Sequence, residues 1–235
     1  MSPSRASSSG PEFLWQRLVR ARAPVLCLSV LCAVGCEGGT TPPGSDGGVE
    51  ESIFPVVPGM KWTYRVTSGS GEVTDKVQTV TGTVSYEGRD AFRFETARAG
   101  LRDAVSIQAI DNDRVVRLEE WNYDNNVLSE RDKYIPLDTR VDRSKTKSGD
   151  TYQDQHDKEL LDADGNLLVK KRVIYNFFVE AENELVEVPA GRLACVRVRR
   201  DEVGKDSNKT YWFARGIGKV KELGGQTEEL VKVER

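Results

Sequence analysis

Residues 87 to 109 read EGRDAFRFETARAGLRDAVSIQA. Phe92 and Phe94 stand two apart, as do Val105, Ile107 and Ala109, and the short turns Glu87-Gly88 and Ala99-Gly100 separate the runs. Apolar residues at period two mark strands with one buried face. Turns this short join antiparallel neighbours, because a parallel return needs a crossover of about a dozen residues. The same pattern extends upstream, where KWTYRVT puts Trp62, Tyr64 and Val66 on one face. Residues 72–86 are rich in Val and Thr, and their apolar phase slips between Val77 and Val80, which predicts a bulge. Downstream, turn signals recur at Asp111-Asn112-Asp113, Asp124-Asn125-Asn126, Asp164-Gly165-Asn166, Glu182-Asn183 and Pro189-Ala190-Gly191. They continue at 204–208, Gly216-Ile217-Gly218 and Gly224-Gly225. Gly, Asn and Asp supply the positive φ angles that tight hairpins need.

The expectation is an all-β domain over residues 53–235, an antiparallel meander of about 10–12 strands. So many strands curl into a strongly curved sheet or open barrel, with a closed barrel and two packed sheets as the other outcomes. Residues 138–155 (DTRVDRSKTKSGDTYQDQ) have little to bury and read as a long loop leading into an edge strand. A short helix is the alternative there, since Tyr152, His156 and Leu160 fall four apart.

The chain has 235 residues, 38% of them apolar and 30% charged, with a formal net charge of −3. That is enough for one domain with its own core and too polar for a polytopic membrane protein. The acidic balance argues against a nucleic-acid partner. Four cysteines are too few for a disulfide scaffold, and one histidine leaves little room for His-based metal sites or triads.

The amino terminus differs in kind. Arg17, Arg20 and Arg22 precede an uncharged, mostly apolar run from Ala23 to Val34, which as a helix spans about 18 Å, short of the ~30 Å hydrocarbon core. A basic region, a short apolar stretch and small residues after it describe an export signal. Ala33-Val34-Gly35-Cys36 resembles the lipobox of bacterial lipoproteins, with Ala33 where that family usually has Leu. The resemblance implies cleavage between Gly35 and Cys36, a lipidated Cys36 carrying two or three acyl chains, and anchoring to a membrane of the cell envelope. Glu37 in place of Asp leans towards the outer membrane. Residues 1–35 are then the signal peptide, and residues 36–52 (CEGGTTPPGSDGGVEES) the lipidated cysteine and a tether without apolar periodicity. Cys27 and Cys32 leave with the signal, so Cys195 alone remains in the folded part. The signal also removes four arginines and one glutamate, which takes the net charge from −3 to −6. Lipid, not a basic surface, would hold such a domain to a membrane.

Five aromatic pairs lie two residues apart: Trp62 and Tyr64, Phe92 and Phe94, Trp121 and Tyr123, Tyr175 and Phe177, Tyr211 and Phe213. Each puts two rings on one strand face. They form a core of ring against ring, or they line the concave side of the sheet for an apolar ligand such as an acyl chain; these ten are the candidate ligand-lining residues.

No catalytic constellation is legible. Ser68-Gly69-Ser70-Gly71 lacks the G-x-S-x-G order. His156 sits in a polar stretch and is expected to be solvated. Residues 162–166 (DADGN) begin like a calcium loop, but the sixth position is Leu167 and the twelfth Val173, so a hairpin turn is expected. Glu119-Glu120 and Glu228-Glu229 read as ordinary surface acids, the basic runs 170–172 and 197–200 as solvated strand faces, and Cys195 as a buried inert thiol. No metal, cofactor or catalytic residue is expected.

Val188-Pro189-Ala190-Gly191, a strand through Cys195, and Tyr211-Trp212-Phe213-Ala214-Arg215-Gly216-Ile217-Gly218-Lys219-Val220 form one pattern. It is similar to a V-P-A-G … Y-W-x-A-x-G-x-G-x-V pattern in uncharacterised bacterial lipoproteins. The stretch from Phe54-Pro55 through Gly59, Lys61-Trp62 and Tyr64 resembles the opening of the same proteins. A looser likeness is to the Lol lipoprotein carriers, whose curved sheet holds acyl chains; this chain lacks their amphipathic helices. The resemblances imply a membrane-anchored envelope lipoprotein with a non-catalytic binding or structural β domain, its partners being envelope proteins. The alternative is a carrier or sensor of an apolar ligand.

Overall fold

The computed structural model describes residues 52–235; the expected signal peptide, Cys36 and almost all of the tether lie outside them. Twelve strands follow one another: β1 (Lys61–Ser68), β2 (Val73–Tyr86), β3 (Arg89–Arg98), β4 (Leu101–Asp111), β5 (Arg114–Asp124) and β6 (Val127–Asp142). The second half holds β7 (Thr151–Asp162), β8 (Leu167–Val188), β9 (Gly191–Glu202), β10 (Asn208–Ala214), β11 (Gly218–Leu223) and β12 (Gln226–Glu234). Each strand pairs with its neighbours in sequence, and β1 pairs antiparallel with β12, which closes the sheet into a barrel. The open barrel of the sequence reading is therefore closed, so no open concave face exists.

The hairpins follow their turn chemistry. At Glu87-Gly88 and Ala99-Gly100 both turn residues have positive φ (50° and 75°, 49° and 78°), the geometry whose twist matches that of the flanking strands. The phase slip in β2 appears as a register shift between Val80 and Gly82. The pattern misleads in two places. Residues 138–155 are mostly strand, and only 143–150 form a loop. Glu182-Asn183 is no turn either: β8 runs through it, with Asn183 at φ 58° and a register shift against β9. Asp162–Asn166 is the expected hairpin, tied by Asn166 N–H donating to Asp162 Oδ1 at 2.8 Å.

The up-and-down path gives the barrel two ends. One carries the start of β1, the 143–150 loop and the β10–β11 turn. There the segment before β1 folds in as a stopper: Gly216 N–H donates to Ser52 O at 2.9 Å, and Gly59 N–H to Val80 O at 2.8 Å. Ile53 is fully buried among Val115, Val141, Phe177 and Val198. Phe54 stacks on Trp62 with centroids 6.1 Å apart and meets Phe213 edge-on at 6.0 Å. Full burial of such side chains is worth about 1.5–3 kcal/mol each. The stopper seat also explains a glycine: Gly218 has φ 98°, and a Cβ there would lie 3.2 Å from the Trp62 indole nitrogen. The other end carries the β1–β2, β3–β4, β5–β6, β7–β8, β9–β10 and β11–β12 turns.

The outer wall is charged. Lys170 meets Glu159 at 2.8 Å, Arg172 meets Asp157 at 2.9 Å, Arg199 meets Glu180 at 2.7 Å and Lys221 meets Glu229 at 2.8 Å. A membrane-spanning barrel presents an apolar band outward, whereas these outward positions carry ion pairs.

Candidate functional site

Twelve strands enclose more space than side chains can fill. Above the stopper lies a cavity of about 250 Å³, floored by Phe54, Phe213 and Tyr211 and reaching Lys209, Asp103 and Gln226 at the far-end rim. Its walls are polar, with Gln78, Ser106, Gln108 and Asn122 among the lining residues. Lys76, Arg117, Arg140, Lys209 and Lys219 face it as cations, and Asp103, Glu120, Glu222 and Glu228 as carboxylates.

The first charged group stitches the closing seam. Glu228 on β12 accepts Lys76 Nζ on both oxygens, at 2.7 and 2.9 Å, and Lys219 Nζ at 2.7 Å. Glu222 on β11 accepts Lys219 at 2.6 Å and Lys209 at 2.7 Å. Tyr64 on β1 lies under both ammoniums, 5.1 Å from Lys219 and 5.8 Å from Lys76. Burial alone would raise the Glu228 carboxyl, but Lys219 and Lys76 override it and hold it at about 2. Burial, with Lys219 adding repulsion, lowers the Lys76 ammonium to about 8. Every lysine and carboxylate in this group is engaged.

The second group lies across the lumen on β5 and β6. Arg117 spends its guanidinium on Glu120 and on Asp138 Oδ2, the latter at 2.9 and 3.2 Å. Burial opposes ionisation of Asp138, yet Arg117 and Arg140 hold its carboxyl below the usual range. Among the described residues Arg140 itself makes a single long contact, 3.4 Å to Asp138 Oδ2. Arg200 on β9 lies between two inward rings, 4.2 Å from the Tyr175 centroid and 5.5 Å from that of Tyr211.

His156 is not solvated. It is 2% exposed, and its Nδ1 lies 2.6 Å from Asp154 Oδ2. Beyond Ile135 the β6–β7 ladder stops, and side chains bridge the gap: Thr139 N–H donates to Asp154 Oδ1 at 3.1 Å and Asp142 N–H to Tyr152 OH at 3.4 Å. Ligand atoms of Asp138, Asp154 and His156 lie within 4.8 Å of one another. Both Asp154 oxygens are occupied and Asp138 already faces two guanidiniums, so the trio serves as a strut between strands and is ill suited to a cation.

The acid pairs also depart from expectation. Glu119 and Glu228 are each 1% exposed. Glu119, on the outer side of β5, accepts from Tyr86 OH at 2.8 Å and from Arg131 Nε at 2.8 Å. Glu228 shares the inward face of β12 with the buried Leu230. Cys195 is free and buried, and burial, with Glu184 nearby, pushes its thiol up to about 12.

The five ring pairs divide. Trp62 stacks on Phe94 at 6.5 Å in the seam core with Tyr64, and Phe92 packs against that core. Phe177 stacks on Tyr152 at 4.4 Å, and Tyr175 tilts against His156 at 5.8 Å. Tyr211 and Phe213 reach the cavity. Trp121 and Tyr123 do not face the interior: Trp121 pairs with Val105, which alternates with the cavity-lining Ala104 and Ser106, so it lies outside. There Arg93 covers Trp121 at 5.6 Å and Arg102 covers Tyr123 at 5.3 Å.

No protein-family model matches the chain, and no curated protein sequence does. Two solved structures are similar in shape. A protein from Parabacteroides distasonis, described as a lipoprotein, is 10% identical, with a TM-score of 0.47 over 80% of this chain and all of its own. The other, from Bacteroides fragilis, is described as an exported protein with a YmcC-like fold; it is 16% identical, with a TM-score of 0.48 over 79% of this chain and 100% of that one.

Proposed function

We propose that this chain is a cell-envelope lipoprotein, held by acyl chains on Cys36, whose barrel is a non-catalytic module that binds a small polar ligand in its lumen. The observation that carries the reading is the cavity of about 250 Å³, walled by charges and amides and reaching the far-end rim. A share of about 30 Å³ per water makes this room for about eight waters, hence for a small molecule. Charged walls disfavour an acyl chain, which would leave them desolvated without compensation. Carboxylates held ionised far below neutrality support passive binding, since proton transfer works best with a group poised near the ambient pH. The export and anchoring half rests on the lipobox-like residues 33–36 and leans to the outer membrane through Glu37.

Two measurements test the two halves. Metabolic labelling with a palmitate analogue should mark the wild type and not Cys36→Ala; absence of label from both would remove the anchor. Purified protein should fail to take up a fluorescent fatty acid. Saturable uptake that competes with a native co-purifying lipid would replace the polar-ligand reading with the apolar carrier.

A further inference from the structure

Within the lumen, charge satisfaction is uneven. The seam lysines are saturated by Glu222 and Glu228, and Arg117 is saturated by Glu120 and Asp138. Arg140 and Arg200 are not. Among the described residues the hydrogen bonding of Arg140 consists of the one 3.4 Å contact to Asp138, which leaves most of its five donors open. It lies deep in the barrel, yet 31% of its side chain stays accessible, because it faces the cavity. Arg200 has ring contacts but no carboxylate partner among the described residues; it lines a neighbouring cavity with Tyr175 and Lys209 and meets the lumenal one through the Tyr211 ring. Both guanidiniums act on the same groups: each helps to hold the Asp138 carboxyl ionised and each opposes the rise of the Tyr211 phenol. Tyr211 lines the cavity, and its hydroxyl has no hydrogen-bond partner among the described residues. On the opposite wall Gln108 keeps an unpartnered Oε1.

We propose that Arg140 and the Tyr211 hydroxyl, backed by Arg200 against the Tyr211 ring, form an oxyanion site in the lumen, which takes the carboxylate or phosphate of a small hydroxylated molecule. The inference rests on the lumenal-binding reading above and specifies its ligand class. A planar guanidinium fork with open donors matches two oxygens of a carboxylate or phosphate. The anion would complete a lining in which five cations already face four carboxylates. Gln78 and Ser106, which line the same cavity, offer polar contacts to a hydroxyl on the same ligand. Phe54, Phe213 and the Tyr211 ring supply an aromatic floor for its carbon skeleton.

The test is calorimetric titration of the full chain in detergent with four probes: gluconate, glycerol 3-phosphate, sorbitol and glycerol. One or both anions should bind at a single site while the matched neutral polyols bind at least tenfold more weakly, a difference of about 1.4 kcal/mol. Arg140→Gln should weaken the anion by about tenfold or more, and Arg200→Gln severalfold. Tyr211→Phe removes only a hydroxyl without a protein partner, so its fold is safe, and it should weaken the anion severalfold. Gluconate alone points to a carboxylate ligand, and glycerol 3-phosphate alone to a phosphate. Equal binding of sorbitol and gluconate, unaltered in Arg140→Gln and Tyr211→Phe, overturns the oxyanion site and leaves lumenal binding standing. An anion that binds equally well to all three variants also overturns it. Silence from all four probes overturns the site and the lumenal reading together.

Discussion

The two charged groups of the lumen face each other across one cavity and are built differently. At the seam, Lys76, Lys209 and Lys219 spend their ammoniums on Glu222 and Glu228, and β2, β10, β11 and β12 are cross-linked beside the β1–β12 junction. Opposite, Arg117 makes the close contacts to Glu120 and Asp138, Arg140 adds one long contact to Asp138, and Arg200 has no carboxylate partner among the described residues. A buried charge network is high in stakes because removal of one member strands the others. The seam is therefore architecture, and the arginine side has capacity to spare for something else.

The sharpest way to break this contrast is Lys219→Met. It removes the ammonium shared by two buried glutamates, leaving Glu228 to Lys76 and Glu222 to Lys209, and should cost about 3 kcal/mol in urea unfolding at neutral pH. A loss below about 1 kcal/mol would show that the seam is not a structural network. Next comes acid. The folded state holds the Glu228 carboxyl at about 2, below its unfolded value, so the unfolded state binds more protons between the two. Stability should hold from neutrality down to the ordinary carboxylate range and then drop as the pH approaches about 2. Glu228→Gln should flatten that acid limb, and an unchanged limb would assign it to other groups. Arg140→Gln sharpens the contrast from the other side. Arg117 still neutralises Asp138, so the cost should be about 1 kcal/mol or less. Smallest is Lys170→Ala on the outer wall, whose ion pairs are solvent-exposed; the unfolding midpoint should not move, with or without added salt.

Most of the fold was legible because alternation and turn chemistry are local. Phe92 and Phe94, Trp62 and Tyr64, and the turn pairs Glu87-Gly88 and Ala99-Gly100 lie where their pattern put them. Closure was not legible, since it depends on β1 meeting β12, which no short-range feature encodes. β7 hid for a related reason. Its inward residues Tyr152, Asp154 and His156 are polar or amphipathic, so the stretch resembled a loop even though every second residue is buried. The candidate site was the least legible part. Glu228 and Glu229 are adjacent acids, one facing the lumen and one facing Lys221 outside. When both faces of a strand carry charge, period two gives no sign of which is inside. The aromatic pairs drew attention to Tyr211 and Phe213, which do meet the cavity, but equally to Trp121 and Tyr123, which lie under arginines on the outer wall. Arg140 carried no motif, and Arg200 stood in the basic run 197–200 that read as a solvated strand face, although it turns inward against Tyr175 and Tyr211. Only the accounting of who pairs with whom singles them out.

The stopper has an orientational consequence. Ser52, the first described residue, is bonded to the β10–β11 turn at the plugged pole, while the cavity rim at Lys209 and Gln226 is at the opposite pole. The first described residue thus joins the barrel at its closed base, opposite the lip. Small solutes that enter at the lip would leave the bonds at the base untouched, so the base need never open for them to come and go.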